Sequence, residues 1–222
     1  MKFSKLFIAL AALCTLCLAS CKEESDEWDP YYDWQARNEA WFQLVADSAR
    51  TAIAQARAQY GDQWEEHCEW RMYKSLLKSQ DYNTGITADS VCARVITRGT
   101  GDYCPQYSDS IRLSFRGWLM DTQYETESKE KYSQMSIFTQ TYYGPFDPLT
   151  ASPSKSGIAA YVEGFSTILQ YMVAGDDWMV YIPQQLAYGA KGKDAIPAYS
   201  TLLFRINLAG VYPLGTKVPD WN

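Results

Sequence analysis

The spacing of apolar residues changes character near Val91, and that change points to a helical prefix set beside a sheet. Before it, Trp34, Trp41, Phe42, Val45, Ala49, Ala52, Ile53 and Ala56 recur at helical intervals and make one apolar stripe. Gly61 follows as a stop signal. Trp64, Cys68, Met72 and Leu76 continue at four-residue intervals, which predicts a second helix, although Trp70 to Leu77 could also be extended. Residues 28–80 therefore read as helical, packing on their own domain or serving as a dimerisation arm. After it, Val91, Ala93 and Val95 alternate with polar or small residues. Ile111, Leu113 and Phe115 do the same up to Gly117, as do Trp178, Val180 and Ile182, and then Leu202, Phe204, Ile206 and Leu208. These are half-buried strands of a mainly antiparallel sheet. Phe165, Ile168, Leu169 and Met172 return to helical spacing and predict one short amphipathic helix on that sheet. A hairpin turn is expected at Gly175-Asp176-Asp177.

A chain of 222 residues fits one domain with an appendage, and 47% apolar and 15% aromatic content provides for a sizeable core. The net charge of −6 speaks against nucleic acid as a partner, since that needs a basic face. A single histidine, His67, rules out a His-rich metal site. The segment 121–157 is polar and weakly periodic, and a connection this long is functional or an insertion.

The amino terminus reads as an export signal. Lys2 and Lys5 precede a mostly apolar run, Leu6 to Leu18, that is too short to span a bilayer. Leu18-Ala19-Ser20-Cys21 resembles a bacterial lipobox, which implies cleavage before Cys21 and lipid on its thiol; an ordinary secretory signal is the alternative. Removing residues 1–20 takes away two lysines and no acid, so the net charge becomes −8. Lys22-Glu23-Glu24-Ser25-Asp26-Glu27 is a solvated tether or a surface-export tag. The expected location is the outer membrane, facing the periplasm or the surface. Cys14 and Cys17 fall in the discarded segment. Cys68, Cys92 and Cys104 remain, an odd number in a compartment that permits disulfides.

Motifs for covalent or metal chemistry are missing: no Gly-x-Ser-x-Gly, phosphate loop, His-Glu-x-x-His or calcium loop. Gly99-Thr100-Gly101 lacks the third glycine and following helix of a dinucleotide fingerprint and reads as turn chemistry. Asp176-Asp177 and Glu65-Glu66 read as solvated pairs. Activity is expected to depend on shape and environment, without a cofactor.

Four runs carry a resemblance. They are Val162-Glu163-Gly164-Phe165, Met172-Val173-Ala174-Gly175, Tyr181-Ile182-Pro183-Gln184-Gln185-Leu186-Ala187-Tyr188-Gly189, and Ala195-Ile196-Pro197-Ala198-Tyr199-Ser200-Thr201-Leu202-Leu203-Phe204. Together they resemble the FKBP-type peptidyl-prolyl isomerases, here in the form of a Gram-negative lipoprotein. The resemblance implies an α+β fold, an antiparallel sheet curled around one short helix. The organisation expected is a signal peptide at 1–20, a tether at 21–30, a helical segment at 31–87, the FKBP-like domain at 88–213 with its insertion at about 121–157, and a tail at 214–222.

The reaction implied is rotation about an X–Pro bond, whose uncatalysed barrier is about 18–20 kcal/mol. Twisting removes amide resonance and charge separation, so a dry aromatic pocket favours the twisted state. By the resemblance, Phe165 replaces the usual Trp of the pocket floor and Tyr188 hydrogen-bonds the ligand. Tyr161 and Val162 lead into the helix, with the Val162 N–H offered to a substrate carbonyl. Ile196 and Phe204 are apolar walls, and Phe115 keeps the ring of a family Tyr without its hydroxyl. Two registers fit the family's Phe-Asp-x-Ser motif: Phe138-Thr139, which is preferred, or Tyr124-Glu125. Neither keeps the Asp. Ser154 and Ser156 stand where an aromatic wall residue is often found. Tyr188→Ala and Phe165→Ala are expected to reduce isomerisation and leave the fold largely intact. Three roles compete: an isomerase acting on proline-containing segments of exported or unfolded proteins, a module that holds such segments without turnover, and a structural subunit using the prefix to oligomerise.

Overall fold

The computed structural model describes residues 29–81, 85–125 and 130–220; Cys21 and the export signal lie outside the described residues. Helix α1 spans Trp34–Tyr60. A 3-10 turn at Gly61–Gln63 and a single-turn helix α2, Trp64–His67, end the prefix. Seven strands follow: β1 Trp70–Lys74, β2 Ser90–Thr97, β3 Ser110–Glu125, β4 Lys131–Gln140, β5 Ser154–Gly157, β6 Asp177–Ile182 and β7 Leu202–Tyr212. The short helix α3, Glu163–Leu169, lies between β5 and β6. The strands make one sheet in the order β1-β2-β6-β7-β3-β4, with β5 also on β3, and every pairing is antiparallel.

The strands form where apolar and polar residues alternate. In β7, Phe204, Ile206 and Leu208 are buried while Arg205, Asn207 and Ala209 are not. The buried set joins Val91, Ile111, Leu113, Val180 and Ile182 with Phe165, Ile168 and Leu169 of α3 in one core. Helix and sheet approach closely at Gly164, where an added Cβ would run into the Ile182 side chain, so only glycine fits there.

The second helix predicted through Met72 and Leu76 is corrected. Only Trp64–His67 is helical, and Trp70–Lys74 is a strand paired with β2 in register Met72 to Cys92. The sheet therefore begins well before residue 88. Helix α1 runs back along its own domain: Phe42, Ala46 and Ala49 pack on Cys92, with Trp70, Met72 and Tyr181 around them.

The hairpin expected at Gly175-Asp176-Asp177 is instead the connection from α3 into β6. Gly175 takes a left-handed φ of 96° and its N–H donates to the Leu208 carbonyl at 2.7 Å. The two aspartates are not solvated: Asp176 is 5% and Asp177 4% exposed. Asp176 accepts from the Gly99 N–H (2.8 Å) and the Val173 N–H (2.7 Å), so it ties the Gly99–Gly101 loop to the turn. Asp177 accepts from Arg205 Nε at 3.1 and 3.2 Å and from Arg205 Nη2 at 2.7 Å. The polar stretch 121–157 holds the last five residues of β3, all of β4, an irregular strap over 141–153, and β5. Its weak periodicity follows from geometry, since β4 is the last strand of the sheet and no described residue of it is buried.

Candidate active site

A cavity of about 480 Å³ opens on the concave side of the sheet. Its walls contain Phe115, Phe138, Thr139, Tyr161, Val162, Phe165, Tyr188, Ile196 and Phe204, the nine side chains singled out from sequence. Each comes from a different local device. Phe115 and Phe204 point inward from β3 and β7. Phe138 and Thr139 end β4, which is locked to β3 where the Thr141 N–H donates to the Phe115 carbonyl and the Phe115 N–H to Thr141 Oγ1, both at 2.9 Å. Gly117 lies opposite Thr139, and a Cβ there would sit 2.6 Å from Phe204 and 2.7 Å from Phe138, so this glycine lets the two rings meet. Tyr161 and Val162 precede α3, and Phe165 is on its first turn.

The rings meet edge to face around Phe165, with centroids at 4.9 Å for Phe204 and 5.7 Å for Phe115; Tyr161 stacks on it at 4.4 Å, and Phe138 meets Phe204 at 5.4 Å. Such contacts between aromatic quadrupoles stabilise by about 0.5–1.5 kcal/mol each beyond burial. Phe165 is 1% exposed, so it belongs to the core as much as to the floor. Burial pushes the Tyr161 phenol above its usual range, partly offset by its hydrogen bond with Ser156. Ser154 and Ser156 sit on β5 against β3 and do not line the cavity.

Two polar groups of the wall make no hydrogen bond among the described residues: the Val162 N–H at the start of α3 and the Tyr188 hydroxyl. At the rim stand Lys193 and Asp194, which the sequence reading missed along with Ala160 and Ala195. Lys193 Nζ lies 5.5 Å from the Tyr188 ring centroid. Their position inside the gap between the Tyr188 and Ile196 motifs was the signal available for them. The alternative register is disfavoured by position: Tyr124 and Glu125 pair with Tyr132 and Lys131 at the far end of the β3–β4 ribbon, away from the cavity.

A larger hollow, about 840 Å³, lies between α1 and β1 and is lined in part by Arg50, Arg57, Trp64 and Lys74. Its cations are engaged: Arg50 with Asp47 and Thr87, Arg57 over the Trp64 ring, Lys74 with the Asp81 carbonyl. Its described lining holds two aromatic side chains, Trp64 and Tyr73, against six in the smaller cavity. Cys68, Cys92 and Cys104 are all free, and burial raises the Cys92 thiol to about 12, which keeps it protonated and unreactive.

An antiparallel sheet curled around one short helix, with a ring-lined cavity at the helix start, defines the FKBP-like class. Residues 101–209 match the family described as FKBP-type peptidyl-prolyl cis-trans isomerase. The chain is 30% identical over 117 residues to a macrophage infectivity potentiator of Trypanosoma cruzi, covering 52% of this chain and 50% of the relative. It is 27% identical over 164 residues to the FKBP-type 22 kDa peptidyl-prolyl cis-trans isomerase of Escherichia coli, covering 73% and 65%. It is 28% identical over 119 residues to the outer membrane protein MIP of Legionella longbeachae, covering 53% and 42%. The chain thus spans about two fifths to two thirds of the length of these relatives. Among the described residues no helix is long and apolar enough to cross a membrane.

Proposed function

We propose that the protein is a peptidyl-prolyl cis-trans isomerase acting on X–Pro bonds of exported or surface proteins, held at the outer membrane by lipid on Cys21. The observation that carries the reading is the cavity itself: five aromatic rings around a floor of Phe165, with two donors in its lining residues, the Val162 N–H and the Tyr188 hydroxyl, that make no hydrogen bond among the described residues. A prolyl ring enters against Phe165 between Phe115, Phe138 and Phe204. The Val162 N–H donates to a substrate carbonyl, and the Tyr188 hydroxyl to a second one, which fixes the chain on either side of the bond. The planar amide is the more polar state, because resonance separates charge between its nitrogen and oxygen. Water excluded by the rings no longer solvates that charge, so the twisted state loses less on entry than the planar one. Each 1.4 kcal/mol of that difference is about tenfold in rate.

The second reading, a module that holds proline-containing segments without turnover, is favoured by Thr139 at the position of the family's Asp and by Phe115 without a hydroxyl. A protease-coupled assay on a proline tetrapeptide separates the two. Acceleration supports the isomerase; peptide binding without acceleration supports the module. The lipid anchor rests on Leu18-Ala19-Ser20-Cys21 and on the outer-membrane name of one relative. Labelled palmitate incorporated by the full chain and lost in Cys21→Ala is the expected result, and equal labelling of both would remove the anchor from the proposal.

A further inference from the structure

The turn that brings Ile196 to the cavity is held from outside it. Between Tyr188 and Leu202 the chain forms only a 3-10 turn at Gly189–Lys191 and an isolated bridge between Lys193 and Ile196. Asp194 (φ 50°) and Tyr199 (φ 62°) both adopt the left-handed region, which is strained for a residue with a Cβ. Such angles persist where the surroundings impose them. Four restraints are internal: the Lys193 N–H donates to the Ile196 carbonyl at 2.9 Å, the Ile196 N–H to the Lys193 carbonyl at 2.8 Å, the Tyr199 N–H to the Gly189 carbonyl at 2.8 Å, and the Ser200 hydroxyl to the Pro197 carbonyl at 2.7 Å.

The others come from the first two turns of α1, more than 160 residues away in sequence. The Trp34 indole N–H donates to Ser200 Oγ at 2.9 Å. The Thr201 N–H donates to Asn38 Oδ1 at 2.8 Å, and the Thr201 hydroxyl to the Asn38 carbonyl at 3.3 Å. Asn38 Nδ2 in turn donates to the Trp34 carbonyl at 2.8 Å, which fixes the orientation of its amide. All four residues are buried, Asn38 completely. Trp34 also belongs to the core that contains Phe165, Ile196 and Phe204, whereas Phe42, Ala46 and Ala49 further along the same helix pack in a separate cluster. The start of α1 is thus built into the cavity's own framework, and the rest of the helix is not.

We infer that Trp34 and Asn38 are positioning residues of the isomerase cavity, which hold the Ile196–Thr201 turn and through it the Ile196 wall and the mouth beside Tyr188. The inference rests on the reading of the cavity given above. The bonds run in series: indole to serine hydroxyl, serine hydroxyl to the Pro197 carbonyl, and Pro197 follows Ile196 directly. Loosening this link lets the wall move before substrate docks. Misplacement of a site by about 1 Å can lower turnover up to 100-fold, and a single lost hydrogen bond should do less. A loss of about fivefold in kcat/KM, mostly as a higher KM, is the expected scale.

The test uses the full mature chain far below its melting temperature. Trp34→Phe keeps the ring and removes the N–H; Ser200→Ala removes the acceptor. Each is expected to raise KM for a proline tetrapeptide with kcat little changed, and to shift or split the Ile196 methyl NMR signal. The double variant should be no worse than the poorer single one. Asn38→Leu, which strands the Thr201 N–H, should lose more; should it fail to fold, the other two still decide. Phe42→Leu serves as the control that destabilises α1 without touching the link, and should leave kcat/KM unchanged. An active wild type whose Trp34→Phe and Ser200→Ala variants keep both its KM and its Ile196 signal would overturn the inference and leave the cavity reading intact. So would a Phe42→Leu variant with the same rise in KM. A wild type with no isomerase activity would overturn the cavity reading, and this inference with it.

Discussion

Replacing Phe165 by Ala would remove a ring that is 1% exposed and touches Phe115, Tyr161 and Phe204. Deletions of this kind cost about 3–5 kcal/mol, a large part of a typical domain's stability. The expectation that such a variant leaves the fold largely intact therefore does not hold. Phe165→Leu keeps most of the volume and is the better probe: about 1 kcal/mol in urea unfolding and a severalfold loss of isomerase activity. Tyr188→Phe is cleaner still, because the hydroxyl makes no hydrogen bond among the described residues. Its melting temperature should match the wild type within error while kcat/KM falls severalfold, and unchanged kcat/KM would take Tyr188 out of the mechanism. Thr139→Asp restores the carboxyl that the family carries at this point in the preferred register. Activity on the tetrapeptide should rise severalfold, and no change would return weight to the Tyr124-Glu125 register.

At the scale of elements, strands were legible wherever one face meets the core and the other meets solvent. Ile111-Leu113-Phe115, Trp178-Val180-Ile182 and Leu202-Phe204-Ile206-Leu208 are strands as their alternation implied. Trp70–Lys74 was ambiguous because its burial does not alternate: Arg71 and Lys74 are buried with Trp70, Met72 and Tyr73 only partly covered. Arg71 is retained inside by bonds to the Cys68, Trp70 and Glu65 carbonyls, a network of backbone acceptors that no hydropathy pattern records. The polar side of the sheet was equally hidden. Asp177 looked like a turn residue, yet it forms a bidentate pair with Arg205 of β7, and Arg205 also lies 5.1 Å from the Phe146 ring of the strap. Asp177→Ala leaves that guanidinium without its partner beneath the strap. Arg205 keeps some exposure, so the loss should fall toward the low end of the range for broken buried pairs, about 3 kcal/mol. Urea denaturation measures it, and a change below about 0.5 kcal/mol would mean that the pair is a surface contact in effect.

For the molecule as a whole, one carboxylate outside the cavity lining, Asp109, contributes to acid stability. Burial raises the Asp109 pKa, but hydrogen bonds from the Gln106 N–H, the Tyr103 hydroxyl and the Leu214 N–H outweigh it and bring it below the ordinary carboxylate value. A group whose folded pKa is depressed stabilises the native state above its unfolded pKa, about 3.9 for Asp. That contribution fades as pH falls through the folded value. Asp109→Asn should therefore unfold more readily than wild type at pH 7, and the two should converge in strongly acidic solution; a gap that stays constant down to pH 2 would contradict the assignment. The link joins the loop at 103–109 to the segment after β7, so the variant should also loosen the chain beyond Tyr212.

The helix start carries a last consequence. Because Trp34 is bonded to Ser200 beside the cavity wall, the start of α1 and that wall are neighbours. Only eight peptide steps separate Asp29 from Cys21, at most about 26–29 Å when drawn out straight. If Cys21 carries the proposed acyl chains, the cup rides within one short leash of the headgroups, and polypeptides just emerging at that surface would reach it before those already diffusing in the compartment.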